Sequence, residues 1–136
     1  MPSFLHKVFL ICVLTLLFVH SIVGVHVNVN NMLEGNLDLT LHCKSKDDDL
    51  GVQLLHHGQS FSWKFGPRFP PIIFQTLFFC SFAWTGESHY FDIYVQGDKK
   101  LDDCDYCNWN VFKSGPCRIQ EIGDPICFPW NKSQIM

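Results

Sequence analysis

Residues 37–43 read LDLTLHC, in which Leu37, Leu39, Leu41 and Cys43 alternate with Asp38, Thr40 and His42. A period of two sends successive side chains to opposite faces, so this stretch predicts a strand with one apolar and one wet face. The same period runs outward in both directions. Upstream, VHVNVNN (25–31) sets Val25, Val27 and Val29 against His26, Asn28 and Asn30. Downstream, FSWKF (61–65) groups Phe61, Trp63 and Phe65, and CNWNV (107–111) groups Cys107, Trp109 and Val111. YFDIYV (90–95) sets Phe91, Ile93 and Val95 against Tyr90, Asp92 and Tyr94. LFFCSFAW (77–84) is apolar at both parities, which predicts a strand buried on both faces. Turn-forming pieces separate these runs: EGN, HHGQ, GPRFPP, TGES and QGDKK. Short strands at this spacing, with no helical period among them, predict an all-β chain: a small antiparallel β-sandwich stapled by disulfides, its aromatics packed between covalently joined layers.

The first residues have a different pattern. Lys7 precedes a twelve-residue apolar run, Val8–Val19, and Ser21 or Gly24 offers a small residue for cleavage. This is the layout of a secretory signal peptide over residues 1–24, cut near Gly24, and the apolar run is too short to span a membrane comfortably. The expected product is secreted and extracellular, with no membrane span once the signal is removed. It would comprise a β-domain over 25–119 and an irregular tail over 120–136. The 136-residue chain carries a formal net charge of -3, and loss of Lys7 makes the remainder one unit more negative. Its lysines and arginines are scattered, which excludes nucleic acid as a partner.

Seven cysteines are present, and Cys12 lies in the signal segment. Cys43, Cys80, Cys104, Cys107, Cys117 and Cys127 remain, an even set that reads as a disulfide framework in an exported chain, with connectivity open. Cys127 is expected to tie the tail to the domain. CDYC (104–107) admits a redox dithiol or half a zinc site. The first needs a helix N-terminus where a strand follows, and the second needs a further ligand pair, so structural bridges are the better reading.

KSKDDDLG (44–51) raises the question of a metal or catalytic carboxylates. Calcium loops space their oxygen ligands at alternate positions and finish on a glutamate. Asp47, Asp48 and Asp49 are consecutive, so their side chains diverge, and a solvated loop is expected; that loop could itself join the second and third strands. His56 and His57 precede the turn Gly58–Gln59 without a recognisable nucleophile, so they are expected to be exposed turn residues able to titrate in a mildly acidic medium. Phe61, Trp63, Phe78, Phe82, Trp84 and Trp109 could line a groove, but their parity places them in the core. Asn131-Lys132-Ser133 is a glycosylation sequon. No cofactor, metal or catalytic set is expected.

Taken in series, LHCKSKDDDLG, FSWKF, LFFCSFAW, HYFDIYV and CDYCNWNVFKSGPCRI resemble the plant self-incompatibility S1 family, also called S-protein homologues, from about Val25 to Ile119. The tail motif ICFPWN is similar to some members. The resemblance implies small, secreted, disulfide-bonded, non-catalytic β-sandwiches whose founding members are stigma ligands of a pollen-side membrane receptor. A cell-surface receptor protein is thus the implied partner and cell–cell signalling the implied role. It also implies scaffold roles for Cys43, Cys80, Cys104, Cys107, Trp63, Trp84, Trp109 and Gly51. Cys117 and Cys127 lie outside the minimal four-cysteine pattern and are expected to bridge each other. Specificity is expected in the loops, notably Gly86–Ser88 and Gln96–Asp103. The alternative function is a secreted glycan-binding, wall-binding or defence protein.

Overall fold

The computed structural model describes residues 2–22, 24–66 and 75–130. A helix, α1 (Pro2–Ile22), precedes the strands. Nine strands follow: β1 (Val25–Asn31), β2 (Leu39–Lys44), β3 (Asp49–Leu55), β4 (Ser60–Phe65), β5 (Leu77–Trp84), β6 (Glu87–Val95), β7 (Tyr106–Phe112), β8 (Gly115–Ile119) and β9 (Ile126–Cys127). A single helical turn, α2 (Lys99–Asp102), lies between β6 and β7. One sheet has the order β4-β1-β7-β8-β9 and the other β3-β2-β5-β6. Neighbours run antiparallel except β1 and β7, which pair in parallel from His26↔Tyr106 to Asn31↔Val111.

The period of two seen in the sequence becomes the two faces of each sheet. Val25, Val27 and Val29 of β1, with Cys107, Trp109 and Val111 of β7, are buried. So are Leu39, Leu41 and Cys43 of β2 and Phe78, Cys80, Phe82 and Trp84 of β5. The two inner faces share one hydrophobic core, in which Phe91 meets Trp109 edge-on at 5.5 Å between ring centres. Phe61, Trp63 and Phe65 of the edge strand β4 are only partly buried against it.

Several expectations change. The disulfides are Cys43–Cys80, Cys104–Cys107 and Cys117–Cys127. Cys43 and Cys80 face each other on the adjacent strands β2 and β5, and Cys117 and Cys127 do so on β8 and β9. Every bridge lies within a sheet or a turn, so the two layers are held together by side-chain packing and not by covalent links. LFFCSFAW is not buried on both faces: Leu77 is exposed and Phe79, Ser81 and Ala83 are half-buried, because among the described residues no third layer covers β5. The strand that is covered at consecutive positions is β8, whose residues Gly115 to Arg118 are all buried.

Tyr94 was expected on the wet face but is buried and meets Phe65 edge-on at 4.9 Å. The cause is a bulge. The β5–β6 register passes from Phe78↔Tyr94 to Phe79↔Asp92, so Ile93 is the extra residue and both it and Tyr94 turn inward. The acidic loop does not lead straight to FSWKF, because β3 intervenes and hairpins back on β2. Its exposed face carries Val52 and Leu54, so the apolar residues of this strand did not reveal its inward side.

Asn31 ends β1 at the parity of the buried valines and is 0% exposed. Its Nδ2 donates to the carbonyls of Leu37 (2.8 Å) and Leu55 (2.9 Å), and its Oδ1 accepts from the Leu33 amide at 3.0 Å. One side chain thereby satisfies three backbone groups, two of them in buried hydrogen bonds, where β1 hands over to the 32–38 turn.

The tail folds back. After β9, Phe128 packs on Phe91 (5.4 Å) and Trp109 (5.8 Å), while Trp130 packs on Phe82 (5.1 Å) and stacks on His89 (4.8 Å). The Trp130 indole N–H donates to the Lys113 carbonyl and the Phe128 amide to the Pro116 carbonyl. Gly115 makes this approach possible: a Cβ there would lie 1.9 Å from the Phe128 carbonyl oxygen.

Candidate recognition surface

The acidic stretch resolves into a hairpin end. The Ser45 amide donates to the Asp48 carbonyl, and the Asp48 amide donates to the Ser45 hydroxyl. Asp49 does not belong to the loop; it opens β3. Its Oδ1 pairs with His42 Nε2 at 2.6 Å and accepts the Gly51 amide at 2.9 Å. The His42 hydrogen bond first, and the Gly51 amide second, hold the Asp49 carboxyl below its usual range of about 3.8. These contacts order a bulged hairpin, with Gly51 at a φ of +77°.

His56 and His57 sit in the turn between β3 and β4. His56 Nδ1 pairs with Asp38 Oδ1 at 2.7 Å, and His57 Nδ1 lies 3.0 Å from the Leu33 carbonyl. Both contacts fasten the turn to the 33–38 segment. Phe78, Phe82, Trp84 and Trp109 are core residues. Among the described residues no group of three or more His, Cys, Asp or Glu side chains is placed to hold a metal. Asn131 lies outside the described residues.

The two loops expected to carry specificity turn out differently. Gly86 is the second residue of a tight turn, Thr85–Gly86, while Glu87 and Ser88 already belong to β6. Residues 96–103 form a capped helical turn. The Asp98 side chain accepts the Lys100 amide, Asp102 accepts the Gly97 amide, and Leu101 is buried in the core. This segment then runs into the CDYC turn, which its own bridge, Cys104–Cys107, closes.

That turn forms one wall of a cavity of about 380 Å³, within the usual range for small-molecule sites. Asp103, Asp105 and Tyr106 line one side, and Gln120 and Glu121 line the other. The second wall follows β8, which Cys117–Cys127 ties to β9. Arg118 also lines the cavity and is only 4% exposed. Its Nη1 donates to the Asp103 carbonyl at 2.9 Å, and its buried Nε has no acceptor among the described residues. Arg118 stands opposite Trp109 in the β7–β8 register, which explains how a cation comes to face inward at the sheet's end. No local pattern marks this: the charge is the fourth residue of a five-residue strand whose alternation is hidden by Gly115 and Pro116.

The outer face of the same sheet continues from the cavity. His26 and Tyr106, opposite each other, stack at 5.9 Å. In the next rows Asn28 lies opposite Asn108 and Asn30 opposite Asn110. Asn28 Nδ2 donates to Asn108 Oδ1 at 2.8 Å, Asn30 Nδ2 donates to Asn110 Oδ1 at 2.9 Å, and the Ser60 hydroxyl donates to Asn30 Oδ1. The alternating asparagines were legible as the wet face of β1, but their meeting those of β7 depends on a parallel pairing across 80 residues of sequence.

The chain matches the family model described as plant self-incompatibility protein S1 over residues 26–130. Among known relatives, S-protein homolog 2 of Arabidopsis thaliana is 46% identical over 114 residues, covering 79% of this chain and 68% of that protein. S-protein homolog 4 of the same plant is 46% identical, covering 77% and 71%, and S-protein homolog 19 is 44% identical, covering 79% and 77%. No solved structure matches. The matched span takes in all but the first residue of β1 and ends on Trp130, so strands, bridges and docked tail together carry the likeness: the chain belongs to the plant self-incompatibility S1 family.

Proposed function

We propose that the protein is exported, loses residues 1–24 near Gly24, and works outside the cell as a non-catalytic ligand of a cell-surface receptor protein. The observation that carries this reading is the ordering of a surface where several loops converge. Two local disulfides, a capped turn and a buried arginine fix the cavity walls at 103–106 and 118–122. A pre-ordered surface loses little conformational entropy on association, as recognition at useful affinity requires.

Export is supported by α1, whose Phe4, Leu5, Phe9, Ile11 and Leu14 are exposed. Among the described residues no helix is long and apolar enough to cross a membrane. Three bridges fit an oxidising compartment, and Asn131 would there be a site for an N-linked glycan. In this reading residues 25–119 supply eight strands of the sandwich, and the 120–136 tail adds β9 and is held through Cys127.

The test is expression of the full chain in plant cells. Recovery from the extracellular fluid with an N-terminus near residue 25, and saturable binding to some plant cell surface that protease treatment abolishes, are expected. Retention inside the cell, or no protease-sensitive binding to any cell type, would refute it.

A further inference from the structure

The Arg118 cavity has chemistry of its own. A guanidinium brings five N–H donors. Burial makes each unsatisfied one costly, so an ionised arginine enclosed by protein calls for acceptor oxygens. Here Nη1 has the Asp103 carbonyl, while the buried Nε has no acceptor among the described residues. Nε itself is closed to solvent, but Arg118 lines the cavity, so a ligand oxygen entering it would lie in the field of this cation.

Three carboxylates, Asp103, Asp105 and Glu121, against one guanidinium make the lining net negative. That balance opposes a free anion, and the arginine opposes a simple cation. A hydroxyl group suits both, because it accepts from the guanidinium and donates to a carboxylate. Beside these groups stands the Tyr106 ring, 56% exposed and held by its stack on His26, a platform for an apolar C–H face. Beyond it on the same sheet face lies the neutral amide array of Asn28, Asn108, Asn30 and Asn110, again donors and acceptors without charge.

We infer that this cavity and the adjoining amide face form a binding site for a neutral saccharide, with Arg118 and the rim carboxylates gripping the hydroxyls of one sugar and Tyr106 packing against its ring. The asparagine rows would follow the chain beyond that sugar. This inference does not depend on the receptor reading, which concerns a protein partner.

The experiment is titration of the protein, as processed by a plant expression host, with cellopentaose, mannopentaose and a xyloglucan heptasaccharide. An oligogalacturonide and inorganic sulfate serve as anionic comparators, followed by amide NMR shifts and calorimetry. At least one neutral sugar should bind saturably and move the resonances of Tyr106, Arg118 and Gln120. Asp105→Asn and Tyr106→Ala, both at exposed positions, should each weaken it at least tenfold without changing the melting temperature. The inference is overturned if no neutral sugar moves those resonances. Sulfate or oligogalacturonide binding as tightly as the best neutral sugar overturns it too, as does unchanged affinity in both rim variants. Protease-sensitive cell binding would survive any of these failures, so the two readings fall separately.

Discussion

Replacing Gly115 by alanine tests whether the tail is part of the folded core. The residue has a φ of +145°, which a side chain rarely tolerates, and its Cβ would stand 1.9 Å from the Phe128 carbonyl oxygen and 3.0 Å from its carbonyl carbon. Ordinary C···O contact is about 3.3–3.6 Å, so the tail backbone must withdraw by about 1.5 Å. The neighbouring atoms are backbone, and no rotamer change relieves the clash. Withdrawal breaks the Phe128 amide bond to Pro116 and lifts Phe128 off Phe91 and Trp109. The backbone strain is worth about 1–3 kcal/mol. The hydrogen bond adds about 0.5–1.5 kcal/mol and each aromatic pair a similar amount. The combined loss should be at least about 2.5 kcal/mol, or a melting temperature lower by about 10 °C or more, at about 4 °C per kcal/mol for a domain of this size. Urea unfolding followed by tryptophan fluorescence reads the loss, and near-UV circular dichroism reads the undocking of Trp130. A variant within about 1 kcal/mol of the parent with an unchanged near-UV spectrum would refute the packing described for residues 126–130.

Asn31→Ala should cost at least about 2 kcal/mol in urea unfolding, because it leaves two buried backbone groups, at Leu33 and Leu55, without partners at about 1–3 kcal/mol each; a loss below 1 would mean that water replaces the amide. Removing the bridges one pair at a time should destabilise in order of loop length. Sequence separations of 37, 10 and 3 correspond to about 4, 3 and 2 kcal/mol for Cys43–Cys80, Cys117–Cys127 and Cys104–Cys107. An inverted order would show that native strain, not chain entropy, governs them. Tyr94 is pushed above its ordinary value of 10.0 by burial first, and by Asp102 and Asp105 second. A group raised in the folded state contributes stability that is whole below the unfolded value and lost as pH rises through the folded one. The parent should therefore lose stability as pH rises above about 10 more steeply than Tyr94→Phe; parallel pH profiles there would contradict the burial of the phenol.

Sequence periodicity was enough to assign the faces of β1, β2 and β7, because alternation by two maps directly onto the pleat and the buried side needs apolar residues at every second position. Cysteine parity and the apolar leader likewise follow from composition and order along the chain. The bulge at Ile93 shows the limit: one extra residue reverses the parity of everything after it, and no local pattern in YFDIYV marks where it falls. β3 and β8 were missed for related reasons, since Val52 and Leu54 face outward on an uncovered layer and β8 is buried at consecutive positions under the returning tail. Which strands become neighbours depends on contacts made across the fold. Only pairing β1 with β7 brings the asparagines together, only the antiparallel pairing of β8 with β7 sets Arg118 beside the inward Trp109, and only folding sets Cys43 opposite Cys80 within one sheet. Local sequence fixes where a side chain points on its own strand, but its partners are set by long-range packing, which minimises exposed apolar area over the whole molecule and leaves no mark at any single position.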